Sequence, residues 1–134
     1  AAPIPYGANA AASGTFTHDG VTFYYETYGE GEPLLMFHGN GASIGSFAKG
    51  ETIIMEINNT TQFDQPLHIH GHVWQVIEQG GAIQEGQPWR DTAVVPQKQV
   101  QKLAFVADNP GVWVLQSLVA ERVDSGLIAS FAIE

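Results

Sequence analysis

Short segments that alternate apolar and polar residues constrain the fold of this chain more than any other feature. The clearest is QVQKLAFVA at 99–107, where apolar side chains recur at every second position, as in a β-strand that buries one face. The turn-forming residues DNPG at 108–111 follow it directly. Because we find no amphipathic helix of about 12 residues or more, the pattern predicts an all-β sandwich or barrel. Further strands are predicted at 51–57, 67–78, 91–95, 112–119 and 127–134, with a helical turn at 120–126.

Residues 1–50 have a different composition from the rest of the chain. Residues 1–14 are rich in alanine, glycine and proline, which predicts a weakly ordered arm that lacks the pattern of a signal peptide. The segments VTFYYETY (21–28) and LLMF (34–37) flank a turn and predict a β-hairpin, and a glycine-rich loop is predicted at 38–50. With 134 residues and no linker-like stretch, the chain 1–134 is predicted to be a single domain.

Charge and composition exclude several classes of partner. Fourteen acidic and five basic residues give a net charge of −9 without a basic run, so neither nucleic acid nor an anionic membrane is expected to bind. The chain has no cysteine, which excludes disulfides and thiolate ligands. It also lacks the run of about 20 apolar residues that a membrane-spanning helix needs.

Three histidines occupy alternate positions in QPLHIHGHVW at 65–74. In a continuous strand, His68, His70 and His72 would lie on one face, and imidazole is a common ligand for zinc, copper and iron. Ligands two residues apart on a strand are separated by roughly 6.5–7 Å, so a closed metal site needs further ligands from elsewhere. The apolar residues of the segment would share the opposite face: Leu67, Ile69 and Val73.

The stretches KGETIIMEINNTTQFDQPLHIHGHVWQV, PWRDTAVVP, FVADNPGVW and DSGLIASFAIE follow one another between about residue 49 and residue 134. In content and order they resemble the last cupredoxin domain of multicopper oxidases, the laccase-like family. The resemblance implies a cupredoxin-like Greek-key β-sandwich for residues 49–134, with the N-terminal hairpin and glycine-rich loop attached to it.

The resemblance also implies which positions would hold copper. The family's first motif, His-Pro-x-His-x-His-Gly, places Gln65 at a mononuclear, electron-accepting copper, and His68 and His70 at a trinuclear, oxygen-reducing cluster. Since the family's own ligands are missing at Gln65 and throughout the second motif, we expect that the copper sites have been removed and that there is no resident cofactor. His68 and His70 then remain as candidate ligands for adventitious copper or zinc. The second motif, His-Cys-His-x-x-x-His, falls on Gln116, Ser117, Leu118 and Arg122.

Residues 20–47 resemble instead the start of an α/β-hydrolase, in which a hairpin leads to a His-Gly loop that helps to build an oxyanion hole. Two unrelated families joined near residues 47–49 are most simply explained by an engineered or designed chimera; a natural insertion and a chance likeness of hairpin sequence remain open. Within this piece GASIG at 41–45 fits Gly-x-Ser-x-Gly, with Ser43 as nucleophile. Without a parallel sheet and an acid–histidine pair, we interpret Ser43 as a loop residue.

Other residues with reactive or aromatic side chains have structural interpretations. We interpret His18 and His38 as loop histidines and the pair Arg90–Asp91 as an ion pair or a loop clamp. The three tryptophans are predicted to pack in the core or at its edge: Trp74, Trp89 and Trp113.

Three functions are compatible with these observations. The leading hypothesis is a non-catalytic scaffold, a designed or recombined cupredoxin-like domain. The alternatives are a copper- or zinc-binding module that uses His68 and His70, and an enzyme, either a degenerate multicopper oxidase or a cryptic hydrolase. Apolar surface and sheet edges are compatible with a homodimer or trimer. The resemblance implies a secreted or periplasmic protein, whereas a designed protein would be cytoplasmic in its host.

Overall fold

The computed structural model describes residue 4 and residues 7–30, 34–38, 46–125 and 127–134. Within these residues the chain forms twelve strands and one short α-helix, preceded by a 3-10 turn at Ala10–Ala12. The elements are β1 (Ser13–His18), β2 (Val21–Glu26), β3 (Leu34–His38), β4 (Ser46–Phe47), β5 (Thr52–Asn59), β6 (Gln65–Ile69), β7 (Trp74–Gln79), β8 (Ala82–Ile83), β9 (Thr92–Val95), β10 (Val100–Val106), β11 (Gly111–Ser117), α1 (Ala120–Asp124) and β12 (Ile128–Ile133).

Two five-stranded sheets make up the main body of the molecule. One has the strand order β3-β5-β10-β7-β8, and the other has the order β4-β12-β11-β6-β9. Neighbouring strands are antiparallel except for β4, which runs parallel to β12. The predicted all-β sandwich is therefore confirmed, as is the helical turn, which forms α1.

The core lies between the two sheets, because each strand alternates inward and outward side chains. In β5 every second residue is buried, and β10 has the same alternation, as its sequence predicted. The rings of Phe47, Phe105 and Phe131 pack edge-on or tilted, with centroids 5.7–6.0 Å apart. The buried apolar residues are Phe47, Ile53, Met55, Ile57, Leu67, Ile69, Trp74, Val76, Ala93, Val95, Leu103, Phe105, Ala107, Leu115, Phe131 and Ile133.

The N-terminal hairpin differs from the predicted one. The strand 21–28 was expected to pair with 34–37, but β2 pairs with β1, and β3 joins the sandwich beside β5. The reason is the Asp19–Gly20 turn, whose two residues both have positive φ (50° and 79°) and match the twist of a tight antiparallel hairpin. The arm predicted for residues 1–14 is also too long, since Ser13 and Gly14 already belong to β1.

The strand predicted at 67–78 is in fact two strands in opposite sheets. β6 lies in the second sheet and β7 in the first, and the chain crosses between them at Gly71, which has a φ of +75°. A continuous strand is broken there because this backbone conformation is outside the β region. In the part of the chain that the structure describes, no helix is long and apolar enough to cross a membrane.

Candidate functional site

His68 and His70 lie together at the end of β6. Leu67 and Ile69 point into the core, so His68 between them points outward, with 18% of its side chain exposed. Its Nε2 lies 3.3 Å from Nδ1 of His70, which is fully at the surface. The two imidazoles predicted as candidate ligands are thus brought into contact.

Thr92 of β9 and the preceding residue, Asp91, lie close to the Nδ1 atom of the His68 ring. Its Nδ1 lies 3.2 Å from Oγ1 of Thr92 and 3.9 Å from a carboxylate oxygen of Asp91. Sequence reasoning missed both, although the pairing of β6 with β9 places Thr92 directly opposite His68. Arg90–Asp91 was predicted to act as an ion pair or as a loop clamp. No ion pair between the two is seen among the described residues, and the Arg90 backbone exchanges hydrogen bonds with Trp74 (2.8 and 3.0 Å), which clamps the loop through the main chain.

His72 does not share a face with the other two histidines, so that prediction is wrong. The turn at Gly71 reverses the alternation: His72 is buried, with 7% exposure, and Val73 is 50% exposed instead of lying with Leu67. The His72 ring packs against Trp113 and Phe105 at centroid distances of 5.4 and 5.6 Å, and its Nδ1 donates to the carbonyl of His70 (3.3 Å). His72 is therefore a core residue of the turn and not a third surface ligand.

The turn itself depends on glycine and on Trp113. A Cβ on Gly71 would meet the Trp113 ring at 2.3 Å, and the positive φ disfavours other residues as well. Asn109 fixes the arrangement, because its Nδ2 donates to the carbonyl of Gly71 (3.2 Å) while its own carbonyl accepts from Trp113 Nε1 (2.7 Å). Trp74 is fully buried and Trp113 partly so, as predicted, whereas Trp89 is 55% exposed.

An open depression of about 510 Å³ lies over this turn, lined by His68, His70, Asp91 and Asp108 among others. Within the described ranges, no group of three or more histidine, cysteine, aspartate or glutamate side chains is arranged to hold a metal ion. The arrangement therefore offers at most two imidazoles to a metal, with water completing its coordination.

Of the three positions that the resemblance assigns to a mononuclear copper, Gln65 and Arg122 are in contact at one corner of the sandwich, and Ser117 lies on the strand paired with β6. Gln65 begins β6 with 4% exposure, Ser117 ends β11 with 1% exposure, and Arg122 lies in α1. Arg122 Nη1 donates to Oε1 of Gln65 (2.8 Å), and Ser117 Oγ accepts from the amide of Val119 (3.1 Å). A blue-copper site needs a thiolate and two imidazoles. An amide, a hydroxyl and a guanidinium do not fit that ion.

Of the remaining cluster positions, Gln116 lies next to the histidine pair and Leu118 lies beside Pro66. Gln116 is the strand partner of His68, and Leu118 is 55% exposed. Their side chains are an amide and a hydrocarbon, so this side of the site supplies no imidazole beside His68 and His70. Ser43 and residues 39–41 of the predicted oxyanion loop lie outside the described residues. His18 and His38 were predicted as loop histidines, but each is the last residue of a strand, β1 and β3 respectively. His18 lies just before the Asp19–Gly20 turn, with 76% of its side chain exposed.

The groups with shifted pKa values lie away from these clusters. Burial alone would raise the pKa of Glu26, but hydrogen bonds from Tyr28, Tyr24 and the Gly7 amide lower it overall. Burial and the contact with Glu26 raise the pKa of Tyr28 above its ordinary range. On the outer face of the first sheet, a hydrogen bond to Glu78 and its charge raise the pKa of Lys102.

Comparison with known proteins agrees with the fold and the motif order. The sequence profile described as "Multicopper oxidase" matches residues 9–134. The iron transport multicopper oxidase fio1 of Schizosaccharomyces pombe is 32% identical over 97 residues, which are 63% of this chain and 16% of that protein. The multicopper oxidase MmcO of Mycobacterium tuberculosis is 39% identical over 66 residues, 49% of this chain and 12% of that protein. This chain thus spans about a sixth of the length of the Schizosaccharomyces pombe protein.

Solved structures give the same result. A crystal structure of a multicopper oxidase from Pseudomonas thermotolerans superposes with a TM-score of 0.63 at 31% identity, covering 68% of this chain and 22% of that chain. A multicopper oxidase from Pseudomonas parafulva superposes with a TM-score of 0.61 at 31% identity, covering 69% of this chain and 23% of that chain.

The family match also bears on the N-terminal segment. It begins at residue 9 and runs through the junction expected near residues 47–49. Residues 20–47 are therefore part of the family match, and the comparisons support neither a hydrolase-like N-terminus nor an engineered chimera. From residue 9 to residue 134, the chain belongs to the multicopper oxidase family.

Proposed function

We propose that this chain is a non-catalytic cupredoxin domain of the multicopper oxidase family, with a structural role and no mononuclear copper of its own. The carrying observation is the corner at Gln65, Ser117 and Arg122, where the guanidinium is hydrogen-bonded to the amide at 2.8 Å. A permanently charged arginine repels a copper ion, and a serine hydroxyl cannot replace the thiolate that such a centre requires. The activity of any longer protein that contains this domain is a separate question, since the chain spans only 16% of its relative.

Copper titration of the metal-stripped chain tests this proposal. We expect no intense visible absorption and no stoichiometric copper binding at the corner. The matched positive control is the triple variant Gln65→His, Ser117→Cys and Arg122→His, which restores the thiolate and both imidazoles and is expected to bind copper more tightly than micromolar, about −8 kcal/mol. An intense copper–ligand band in the wild-type chain would overturn the proposal.

A second candidate function is weak binding of a divalent transition metal by His68 and His70. The observation that favours it is the 3.3 Å approach of His68 Nε2 and His70 Nδ1 at the rim of an open depression. Two imidazoles leave most of the coordination shell to water, so the proposed affinity is modest. This candidate concerns one adventitious copper or zinc ion.

Calorimetry with Cu²⁺ and with Zn²⁺ distinguishes the second candidate from the first. Binding of one ion that is abolished in the double variant His68→Ala and His70→Ala would favour it. The matched control is His18→Ala, which removes an exposed imidazole at the end of β1, outside the main sandwich. Equal binding by all three proteins would show that neither histidine is a specific ligand.

A further inference from the structure

Arg122 makes a set of contacts that joins α1 to the segment before β6. Its Nη1 donates both to the carbonyl of Asp64 (2.7 Å) and to Oε1 of Gln65 (2.8 Å). Its guanidinium carbon also lies 5.2 Å from the centroid of the Phe63 ring, a cation–π distance. One side chain thereby contacts three consecutive residues, Phe63 to Gln65, that are far from it in sequence.

These contacts continue into the interior through buried polar side chains. Gln65 Nε2 donates to Thr61 Oγ1 (3.1 Å), which in turn donates to Oδ1 of Asn59 (2.8 Å). Asn59 is fully buried and donates to the carbonyls of Phe63 (2.8 Å) and Val95 (2.9 Å). The guanidinium is therefore connected by hydrogen bonds to β5 and β9.

The helix that carries Arg122 is short and lies at the surface. α1 has five residues, none of them buried, and its N-cap Val119 provides no side-chain hydrogen bond. A helix this short is unstable on its own, so its position depends on contacts to the rest of the domain. Arg122 is the residue of α1 with hydrogen bonds to the interior network.

We infer that Arg122 is a built-in cation that replaces a metal ion as the link between β6 and α1. We call Arg122 with its acceptors Asp64 and Gln65 the Arg122 clamp. The inference rests on the proposed function, because it assumes that no copper ion takes this position. A metal ion would bind reversibly, whereas the guanidinium is covalently part of the chain. The clamp thus keeps this corner closed without a metal.

Hydrogen exchange of the full chain in Arg122→Gln tests the clamp. We expect amide exchange in residues 60–66 and 118–125 to become about tenfold faster, since a charged hydrogen-bond donor at a half-buried site is lost. The matched control is Arg90→Gln, whose side chain lies outside the clamp and which should leave both segments at wild-type rates. Unchanged exchange in Arg122→Gln would overturn the inference.

A second variant checks that the effect passes through Gln65. Gln65→Met keeps the size of the side chain but removes both the acceptor for Arg122 and the donor to Thr61. In the pair Gln65→Met with Arg122→Gln, the increase in exchange rate should therefore be smaller than the product of the two single increases. Independent, multiplying effects would contradict the coupling. The two proposals can fail separately. Copper binding by the wild-type chain would contradict the proposed function, whereas unchanged hydrogen exchange in Arg122→Gln would contradict the clamp.

Discussion

The two-sheet sandwich and the β1–β2 hairpin are built from the same alternating pattern, but only the sandwich buries it. Phe105 in β10 is fully buried between the sheets, whereas the stacked pair Phe16 and Phe23 in the hairpin is 53% and 44% exposed. Alternation places apolar side chains on one face in both regions. An apolar face stabilises the fold only when a second sheet covers it and removes it from water. In the sandwich each sheet covers the other.

The two regions also differ in how their polar groups are satisfied. In the sandwich, Asn59 and Thr61 are buried and bonded mainly to the main chain and to each other. In the hairpin, the Glu26 carboxylate near the surface accepts from Tyr24, Tyr28 and the Gly7 amide. The buried polar cluster at Asn59 and Thr61 therefore relies on neutral groups, while the hairpin relies on a carboxylate that can be titrated.

The largest contrast is expected from removing one phenylalanine ring from each region. Phe105→Ala should lower the free energy of unfolding by about 3–5 kcal/mol, because it leaves a cavity in a closed core. Phe23→Ala should cost about 1 kcal/mol or less, since the ring is already half in water. Urea unfolding followed by tryptophan fluorescence measures both. Equal losses would mean that the hairpin face is covered in solution.

A smaller effect within the sandwich is expected at the histidine turn. Gly71→Ala should destabilise by about 3 kcal/mol, since the new Cβ adds a clash with Trp113 to the strain of positive φ. The control Gly81→Ala also has a positive φ, +83°, but meets nothing within 4 Å. It should therefore cost only about 1 kcal/mol. If both variants lose the same stability, Trp113 does not determine the turn.

Next in size is the buried polar network behind the Arg122 clamp. Asn59→Ala should destabilise by about 2 kcal/mol, because it removes the buried donor to the Val95 carbonyl and the Oδ1 acceptor of Thr61, while the Phe63 carbonyl keeps its hydrogen bond from Thr61 Oγ1. The neighbouring Asn58→Ala, on the outer face of β5, should change stability by about 0.5 kcal/mol at most. Thermal unfolding compares the two. A neutral Asn59→Ala would mean that water satisfies the Val95 carbonyl and Thr61 equally well.

The strands of the sandwich could be predicted because alternation reports directly on a one-sided, buried sheet. The pairing of β1 with β2 was missed because the signal is two residues, Asp19 and Gly20, inside a segment that otherwise looks extended. The split of the histidine strand was missed for a similar reason. Gly71 interrupts the period without changing the apolar and polar pattern around it, and only the contact with Trp113, distant in sequence, explains the turn.

The sequence predicted where the candidate site lies but not the hydrogen-bond network that surrounds it. The motif order placed Gln65, Ser117 and Arg122 at one centre; Gln65 and Arg122 are in contact, and Ser117 ends β11 opposite Leu67 of β6. The polar network was missed because NNTT at 58–61 has the composition of an ordinary loop. Its Asn59 is buried by the three-dimensional crossing of β5, β6 and β9, which short-range patterns do not contain.

The smallest expected effect is the acid response of the hairpin, and its sign follows from Glu26. The pKa of this carboxyl is lowered in the folded chain by its hydrogen bonds with Tyr28, Tyr24 and Gly7, so the folded state favours the charged form. Its contribution to stability is therefore fully present above the ordinary glutamate pKa of about 4.3 and is lost as the pH falls through the lowered folded value. Between pH 5 and 8, approximately, the hairpin should not respond.

An NMR titration from about pH 6 to pH 2 can follow this loss at the Gly7 amide, beside the resonances of the sandwich core. We expect the Gly7 shift to move in one step below the ordinary carboxyl range and the step to be absent in Glu26→Gln. The control Glu85→Gln, at an exposed loop position, should keep the step. A step that persists in Glu26→Gln would mean that another carboxylate anchors the hairpin. The exposed face of the hairpin and its Glu26 carboxylate indicate a region that responds to acid separately from the sandwich. Core resonances that moved together with Gly7 would contradict this.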